Sequence, residues 1–310
     1  MCSKLINVSR PSLLWLLLPC LSSWMSLSQS HLLGHGSSIV PAQSVVGHEV
    51  GNVWAIGDSL TAATYPAQLA KLSRRQVANW GVVGQMSSEI AARVGASPSF
   101  FTVMDATVPA AGEVKVTPTA ATADLLRTGD RQQLSGMLEG IPGTLSRSGT
   151  YDLNAGTYTF TRSQSGKAVR ISNEVNFVPD VGSLPQRIMV VWVGRNNYGD
   201  LEGILNNIDL ILKNRNLSKR FIILSVLNAD TLRERKTDQP RPTYDAIIKL
   251  NMSLEKIYPN NFIDIRKILS QNTKGDFPPI KYRRDELHLN EFGDQVVANE
   301  VYKFIVRKNW

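Results

Sequence analysis

Two patterns of apolar and polar positions divide the chain. At both ends, short continuous apolar runs alternate with amphipathic stretches. "NVWAIGDS" (52–59) predicts a short buried strand, and "TYPAQLAKLSRR" (64–75) has apolar spacing that suits a helix. "QVANWGVVGQ" (76–85) predicts a second strand ending in glycines, and "SSEIAARVG" (87–95) a helix closed by Gly95. The same alternation returns with "RIMVVWVGRNN" (187–197), a continuous run of the kind a central parallel strand needs. It continues through a helix in "LEGILNNIDLILKN", a strand in "RFIILSVLNAD" and a helix in "TYDAIIKLNMSLEKIY". "NFIDIRKIL" then opens on a short strand, and "DELHLNEFGDQVVANEVYKFIVRK" is a loop leading into a C-terminal helix. Strands alternating with helices predict an α/β fold, a parallel sheet with helices on both faces.

Between these parts the period changes. From 97 to 184 short β-branched and aromatic runs are separated by Gly, Asn and Pro, and only "ATADLLR" hints at a helical period. That text predicts an all-β insertion of hairpins or a small barrel. It is too long for a structureless loop in a compact domain. The expected organisation is therefore an α/β domain over 51–96 and 185–310, interrupted by a β-rich module over 97–184.

The first residues follow neither pattern. Lys4 and Arg10 precede an apolar stretch, "SLLWLLLPCLSSWMSL", and the small-residue pattern Ser26-Leu27-Ser28 follows. This predicts a signal peptide over 1–28 and an exported, periplasmic or secreted, protein, with an uncleaved membrane anchor as the alternative. Residues 29–50, rich in Ser, Gly and His, read as a flexible lead-in. Both cysteines, Cys2 and Cys20, fall in the leader, so the mature chain would hold no thiol nucleophile and no Cys-based metal site. The formal net charge is +8, yet the cations are scattered apart from clusters such as Lys281-Tyr282-Arg283-Arg284. No interleaved aromatics accompany them, so nucleic acid is not an expected partner, while anionic glycans or envelope surfaces would be attracted.

Candidate chemistry starts from histidine. Of four, His31, His35 and His48 precede the first core strand, which leaves His288 as the general base available to the α/β domain. In Asp285-Glu286-Leu287-His288 a turn can set the carboxylate beside imidazole Nδ1, fixing the tautomer and stabilising the imidazolium. Ligands gather beyond the carboxyl ends of parallel strands, and Ser59, Gly84 and Asn196 each follow a strand at that end. Ser59 can supply a nucleophilic Oγ and a backbone N–H, Gly84 a second N–H and Asn196 a side-chain amide. Together these would form a three-donor oxyanion hole, in which one donor is typically worth about 3–4 kcal/mol. Each also has an ordinary structural reading. Ser59 suits a helix cap, Gly84 a turn, Asn196 a polar loop, and Asp-x-x-His a surface turn.

In this order the blocks "IGDSLTA", "NWGVVGQ", "VGRNN" and "DELHLNEFG" resemble the SGNH (GDSL) hydrolase family over about residues 50–96 and 186–308. The resemblance implies a flavodoxin-like three-layer α/β/α sandwich. It further implies Ser59 as nucleophile, His288 as base, Asp285 as its orienting partner, and Ser59, Gly84 and Asn196 as the oxyanion hole. One departure is Asn197, where the family commonly has Asp; an amide there can orient Asn196 or its loop by hydrogen bonding without a charge. The insertion has no counterpart in the minimal family fold, although relatives carry β modules that help bind glycans.

Arg195, Asn197 and Tyr198 are the candidate substrate-binding residues. For Arg195 an anionic substrate group and an internal carboxylate are equally open as partners. Arg162 reads as a strand-surface residue, and Trp54, Trp80 and Trp192 as core packing. The reaction expected is ester hydrolysis through an acyl-enzyme with no metal or organic cofactor, directed at O-acetyl groups of a carbohydrate or polysaccharide. A lipase or lysophospholipase-like enzyme on the same scaffold and a glycan-binding protein with a degenerate esterase domain are the alternatives. Neither the acyl group, the sugar nor the oligomeric state is written in the sequence.

Overall fold

A computed structural model describes residues 52–310 apart from 120–121, 124, 127–132, 150–155, 173, 183–186, 216–218 and 272. The expected leader and lead-in, with His31, His35 and His48, lie outside the described residues, as does part of "ATADLLR".

The first half-sheet is built from β1 (Val53–Gly57), α1 (Tyr65–Ser73), β2 (Val77–Gly81) and α2 (Ser87–Arg93). The inserted strands come next: β3 (Phe100–Val103), β4 (Thr107–Val108), β5 (Glu113–Pro118), β6 (Gln133–Leu138), β7 (Ile141–Ser148), β8 (Thr157–Arg162), β9 (Val169–Arg170) and β10 (Val175–Pro179). The α/β part then resumes with β11 (Ile188–Trp192), α3 (Leu201–Arg215), β12 (Arg220–Leu224) and α4 (Pro242–Ile257). It closes with β13 (Phe262–Ile263), α5 (Ile265–Ser270) and α6 (Glu291–Arg307).

The main sheet is parallel, in the order β13-β12-β11-β1-β2. Every residue of β1 and β11 is buried, which is why both read as unbroken apolar runs rather than alternating ones. Their side chains nevertheless part between two cores with period two. Val53, Ala55, Ile188, Val190 and Trp192 face one core, which Tyr65 and Leu69 of α1, Ile265 and Leu269 of α5, and Val297, Val301 and Phe304 of α6 complete. Trp54, Ile56, Met189 and Val191 face the other, with Ile90 of α2, Ile204, Ile208 and Ile211 of α3, and Ile247, Leu250 and Leu254 of α4. The result is a three-layer α/β/α sandwich with α1, α5 and α6 on one face and α2, α3 and α4 on the other. Trp54 and Trp192 are core residues, and Trp80 packs edge-on against Trp54.

The insertion closes into a barrel in the order β10-β3-β5-β8-β7-β6, with β10 pairing both β3 and β6; β4 and β9 form a separate two-stranded pair. Alternate residues such as Phe101, Val116, Leu145, Phe160 and Phe177 fill its interior. Crowding there demands glycine at Gly136 and Gly143, where a Cβ would lie 2.5 Å from the Phe177 ring and 2.4 Å from the Phe160 ring. Arg162, expected on the strand surface, is instead half-buried on the face of β8 that carries Tyr158 and Phe160, where it donates to the Pro109 and Lys167 carbonyls. The hint of a helix in "ATADLLR" is not realised at Leu125 and Leu126, which form a buried turn. Two neighbouring leucines between polar residues mimic half a helical period, but here they anchor a loop.

Candidate active site

Strand register places the site. Gly57 of β1 pairs with Gly81 on one side and with Trp192 on the other. Three adjacent parallel strands therefore end in line, and the chain leaves all of them at the same sheet edge. The stretch following β1 carries Ser59, that following β2 carries Gly84, and that following β11 carries Asn196. Because the chain moves outward from β1 to β2 and later returns to β11 on the other side, this edge lies at a topological switch point.

The glycine before Asp58-Ser59 answers to steric demand. A Cβ on Gly57 would sit 2.2 Å from Thr61 Oγ1 and 2.4 Å from the Trp192 carbonyl oxygen. One on Gly81 would sit 2.0 Å from the Ala62 nitrogen, so both strand ends must be bare for the turn after β1 to fold down. Asp58 is 1% exposed and accepts the Leu60 N–H through Oδ1 at 3.0 Å. Burial pushes its carboxyl up to about 7, against the opposing pull of the Leu60 N–H, the Arg195 charge and the Arg195 backbone N–H.

His288 Nε2 stands 3.0 Å from Ser59 Oγ, across 229 residues of chain, and His288 Nδ1 stands 2.8 Å from Asp285 Oδ2. The other carboxylate oxygen of Asp285 accepts the backbone N–H groups of Leu287 (2.8 Å) and His288 (2.6 Å). Burial alone would raise the Asp285 carboxyl. Those two N–H groups and the imidazole outweigh it and hold the group below its ordinary value. The three residues thus meet as nucleophile, base and orienting carboxylate must.

The oxyanion-side groups occupy the neighbouring loops. Among the described residues the Ser59 and Gly84 N–H groups have no acceptor in the protein. Gly84 sits at φ +74°, in the left-handed region, which turns the chain back after β2. Asn196 Nδ2 donates to the Gln85 carbonyl at 2.9 Å, and an amide nitrogen carries a second hydrogen free to meet a ligand.

Two candidate substrate contacts have partners inside the protein. Arg195 is 8% exposed and turns inward, donating from Nη2 to Glu234 Oε1 at 2.9 Å, so the internal carboxylate takes it. Asn197 binds Ser87 with both ends of its amide, accepting its N–H (3.1 Å) and donating to its Oγ (2.9 Å). It ties the loop after β11 to the start of α2, the loop-orienting part that the sequence reading allowed it. Tyr198 is half-buried beside the Arg195 guanidinium, 5.3 Å from ring centre, and packs against the second core.

The sequence reading missed what holds the base. Arg283, 8% exposed, donates to the Asp285 carbonyl (2.9 Å), to Asp230 Oδ2 (2.6 Å) and to the Pro278 carbonyl. The Asp230 N–H donates to the Glu286 carbonyl at 2.7 Å, so the loop after β12 grips the Asp285–His288 turn from beneath. Asp294 of α6 accepts both the N–H (2.8 Å) and the hydroxyl (2.6 Å) of Thr64, joining the serine loop to the helix behind His288. In the sequence, Arg283 stood out only as part of the cationic cluster Lys281–Arg284. Among the described residues no group of three or more His, Cys, Asp or Glu side chains is gathered as metal ligands would be. Nor is any helix among them long and apolar enough to cross a membrane.

No family model matches the chain. A tail spike protein of Salmonella phage epsilon15 is 25% identical over 303 residues, covering 84% of this chain. The chain spans 27% of that protein's length. Among solved structures, a GDSL-like lipase from Bacteroides thetaiotaomicron is 14% identical, with a TM-score of 0.46, 84% of this chain and 90% of that chain covered. An acetylxylan esterase from Geobacillus stearothermophilus, solved as a catalytic mutant, is 11% identical with a TM-score of 0.40. There 83% of this chain and 95% of that chain are covered. Likenesses of that size add nothing to what the sheet and the Ser59–His288–Asp285 geometry establish by themselves.

Proposed function

We propose that the chain is a serine ester hydrolase of the SGNH (GDSL) type, acting on O-acetyl groups of a polysaccharide. The observation that carries the reaction is the contact of His288 Nε2 with Ser59 Oγ at 3.0 Å while Asp285 holds Nδ1. Ser59 Oγ attacks the ester carbonyl as its proton passes to His288 Nε2. Asp285 keeps Nδ1–H in place and stabilises the imidazolium. The oxyanion of the tetrahedral intermediate is received by the N–H groups of Ser59 and Gly84 and by the second hydrogen of Asn196 Nδ2. Collapse expels the alcohol, which takes the proton from His288. Water, deprotonated by the same imidazole, then releases the acid and restores Ser59.

Three features support a polymeric, acetylated substrate. The pair of His288 and Asp285 lies at an open edge, their side chains 29% and 49% exposed, where a chain could pass. A net charge of +8 favours anionic glycans. The similarity to a phage tail spike protein is compatible with a substrate on a bacterial surface. Export through residues 1–28 is a separate proposal, checked by N-terminal sequencing of the mature protein. The substrate test compares nitrophenyl acetate with the octanoate and assays acetate release from O-acetylated bacterial polysaccharides. Acetate preference with release from polymer is expected; a strong preference for octanoate would replace the acetyl reading with a lipase.

A further inference from the structure

Gln85 is fully buried in the turn after β2, and three parts of the molecule meet on it. Its backbone carbonyl accepts from Asn196 Nδ2 at 2.9 Å. Its Oε1 accepts from Arg93 Nε of α2 at 2.6 Å. Its Nε2 donates to the Leu125 carbonyl at 2.8 Å, in the barrel segment between β5 and β6. The next residue, Leu126, donates its N–H to the hydroxyl of Tyr158 on β8 at 3.1 Å. A continuous line of hydrogen bonds therefore runs from the barrel wall to the Asn196 amide.

We propose that Gln85 is a positioning residue through which the inserted barrel holds Gly84 and Asn196 in place to receive the oxyanion. Chain connectivity alone would not give the barrel this role. It joins the α/β part after α2 and before β11, at the sheet edge opposite Ser59, so its contact with the turn at Gln85 is made by a returning loop. The turn itself is loosely closed, its Gln85 N–H to Val82 carbonyl distance being 3.4 Å. Side-chain anchorage supplies what the backbone lacks. Because Asn196 is exposed and its amide is aimed by the bond to the Gln85 carbonyl, any shift of Gln85 redirects the second hydrogen of Nδ2. Gly84, one residue before Gln85, moves with it.

The inference rests on the ester-hydrolase reading, since only there do Gly84 and Asn196 receive an oxyanion. The parent and Ser59→Ala are assayed first on nitrophenyl acetate; turnover that needs Ser59 stands for that reading alone. Gln85→Glu keeps an acceptor for Arg93 but removes the donor to Leu125, and Tyr158→Phe loosens the far end of the line while leaving Gln85 intact. The expected result is a kcat lower by roughly 10- to 100-fold in Gln85→Glu, and lower by a smaller factor in Tyr158→Phe. KM should stay within about twofold, and the pH profile governed by His288 should not move. Affinity for a small boronic acid, whose adduct places an oxyanion in the hole, should fall by the same factor as kcat. A role confined to folding would lower the melting temperature without that match. Parent-like kcat and boronate affinity in folded variants would overturn the proposal, as would a fall in kcat with boronate affinity unchanged. If Gln85→Glu does not fold, Tyr158→Phe decides by the same two readouts. If the parent shows no Ser59-dependent turnover, the coupling is read from the Asn196 side-chain amide signals in 15N spectra. These should shift in both variants; unmoved signals would refute the line of contact.

Discussion

Replacing Arg283 with methionine tests how the Asp285–His288 turn is held. The guanidinium side chain is 6% exposed and binds the Asp285 carbonyl, Asp230 Oδ2 and the Pro278 carbonyl. Methionine fills much of the same space without a donor. It would leave two carbonyls unsatisfied and Asp230 with Arg235 as its remaining cationic partner. Removing one partner of a buried ion pair costs about 3–5 kcal/mol. Asp230 is 19% exposed and keeps Arg235, which places the cost near the lower bound, about 3 kcal/mol. At roughly 2–4 °C per kcal/mol for a domain of this size, the melting temperature should fall by roughly 6–12 °C. Catalysis should suffer separately, because the Asp285 backbone loses its anchor and the His288 to Ser59 contact loosens; kcat should drop roughly 10- to 100-fold. Lysine at this position keeps the charge but not the fork that serves three acceptors, and should recover part of each loss. Melting is followed by circular dichroism, and kcat on nitrophenyl acetate is measured well below the variant's midpoint. A methionine variant as stable and as active as the parent would refute the reasoning. So would full recovery with lysine, since charge alone would then be enough.

Other expected outcomes are as specific. Asp285→Asn should lower kcat with little change in KM, by less than the ~10⁴-fold seen for a fully buried triad carboxylate, because the Asp285 side chain is 49% exposed and water can partly replace it; steady-state kinetics reads this directly. Asp58 carries a carboxyl raised to about 7, so the folded chain holds a proton there that the unfolded chain has lost, and stability falls as pH rises from about 4 to 7. Asp58→Asn keeps the acceptor for Leu60, and its melting temperature should exceed the parent's at pH 8 by more than at pH 4; a constant offset would remove Asp58 from the pH response. Gly81→Ala would drive a Cβ to 2.0 Å from the Ala62 nitrogen, displacing the loop after Ser59. It should cost about 1–3 kcal/mol by denaturant titration and most of the activity.

The parallel sheet was legible because β1 and β11 are buried on both faces, which writes each as one apolar run. That Ser59, Asp285 and His288 could meet was legible because a triad requires those residue types and a single histidine was available to the core; the structure brings the three side chains into contact. The β character of the insertion was legible too. Its closure through β10 was not, since strand order in a barrel is settled by pairing between segments far apart in the chain. Gln85, Arg283 and Asp230 could not be singled out, because amides, guanidinium groups and carboxylates carry no period and reveal their roles through the partners that the fold brings to them. Arg195 shows the same limit: its position between Gly194 and Asn196 pointed equally to substrate and to an internal carboxylate, and Glu234, buried in the loop after β12, takes it. Removal of 97–184 would bear on Gln85 as well. Small-ester turnover should fall along with polymer turnover, because the Leu125 carbonyl leaves with the barrel.

Covalent labelling of the nucleophile tests the central claim most directly. A fluorophosphonate incubated with the protein should add one mass equivalent, located by peptide mapping to Ser59. Labelling should be absent in Ser59→Ala and strongly slowed in His288→Ala, and nitrophenyl acetate turnover should be lost in step with it. An adduct on another residue, or ester hydrolysis that persists unchanged in Ser59→Ala, would contradict the account.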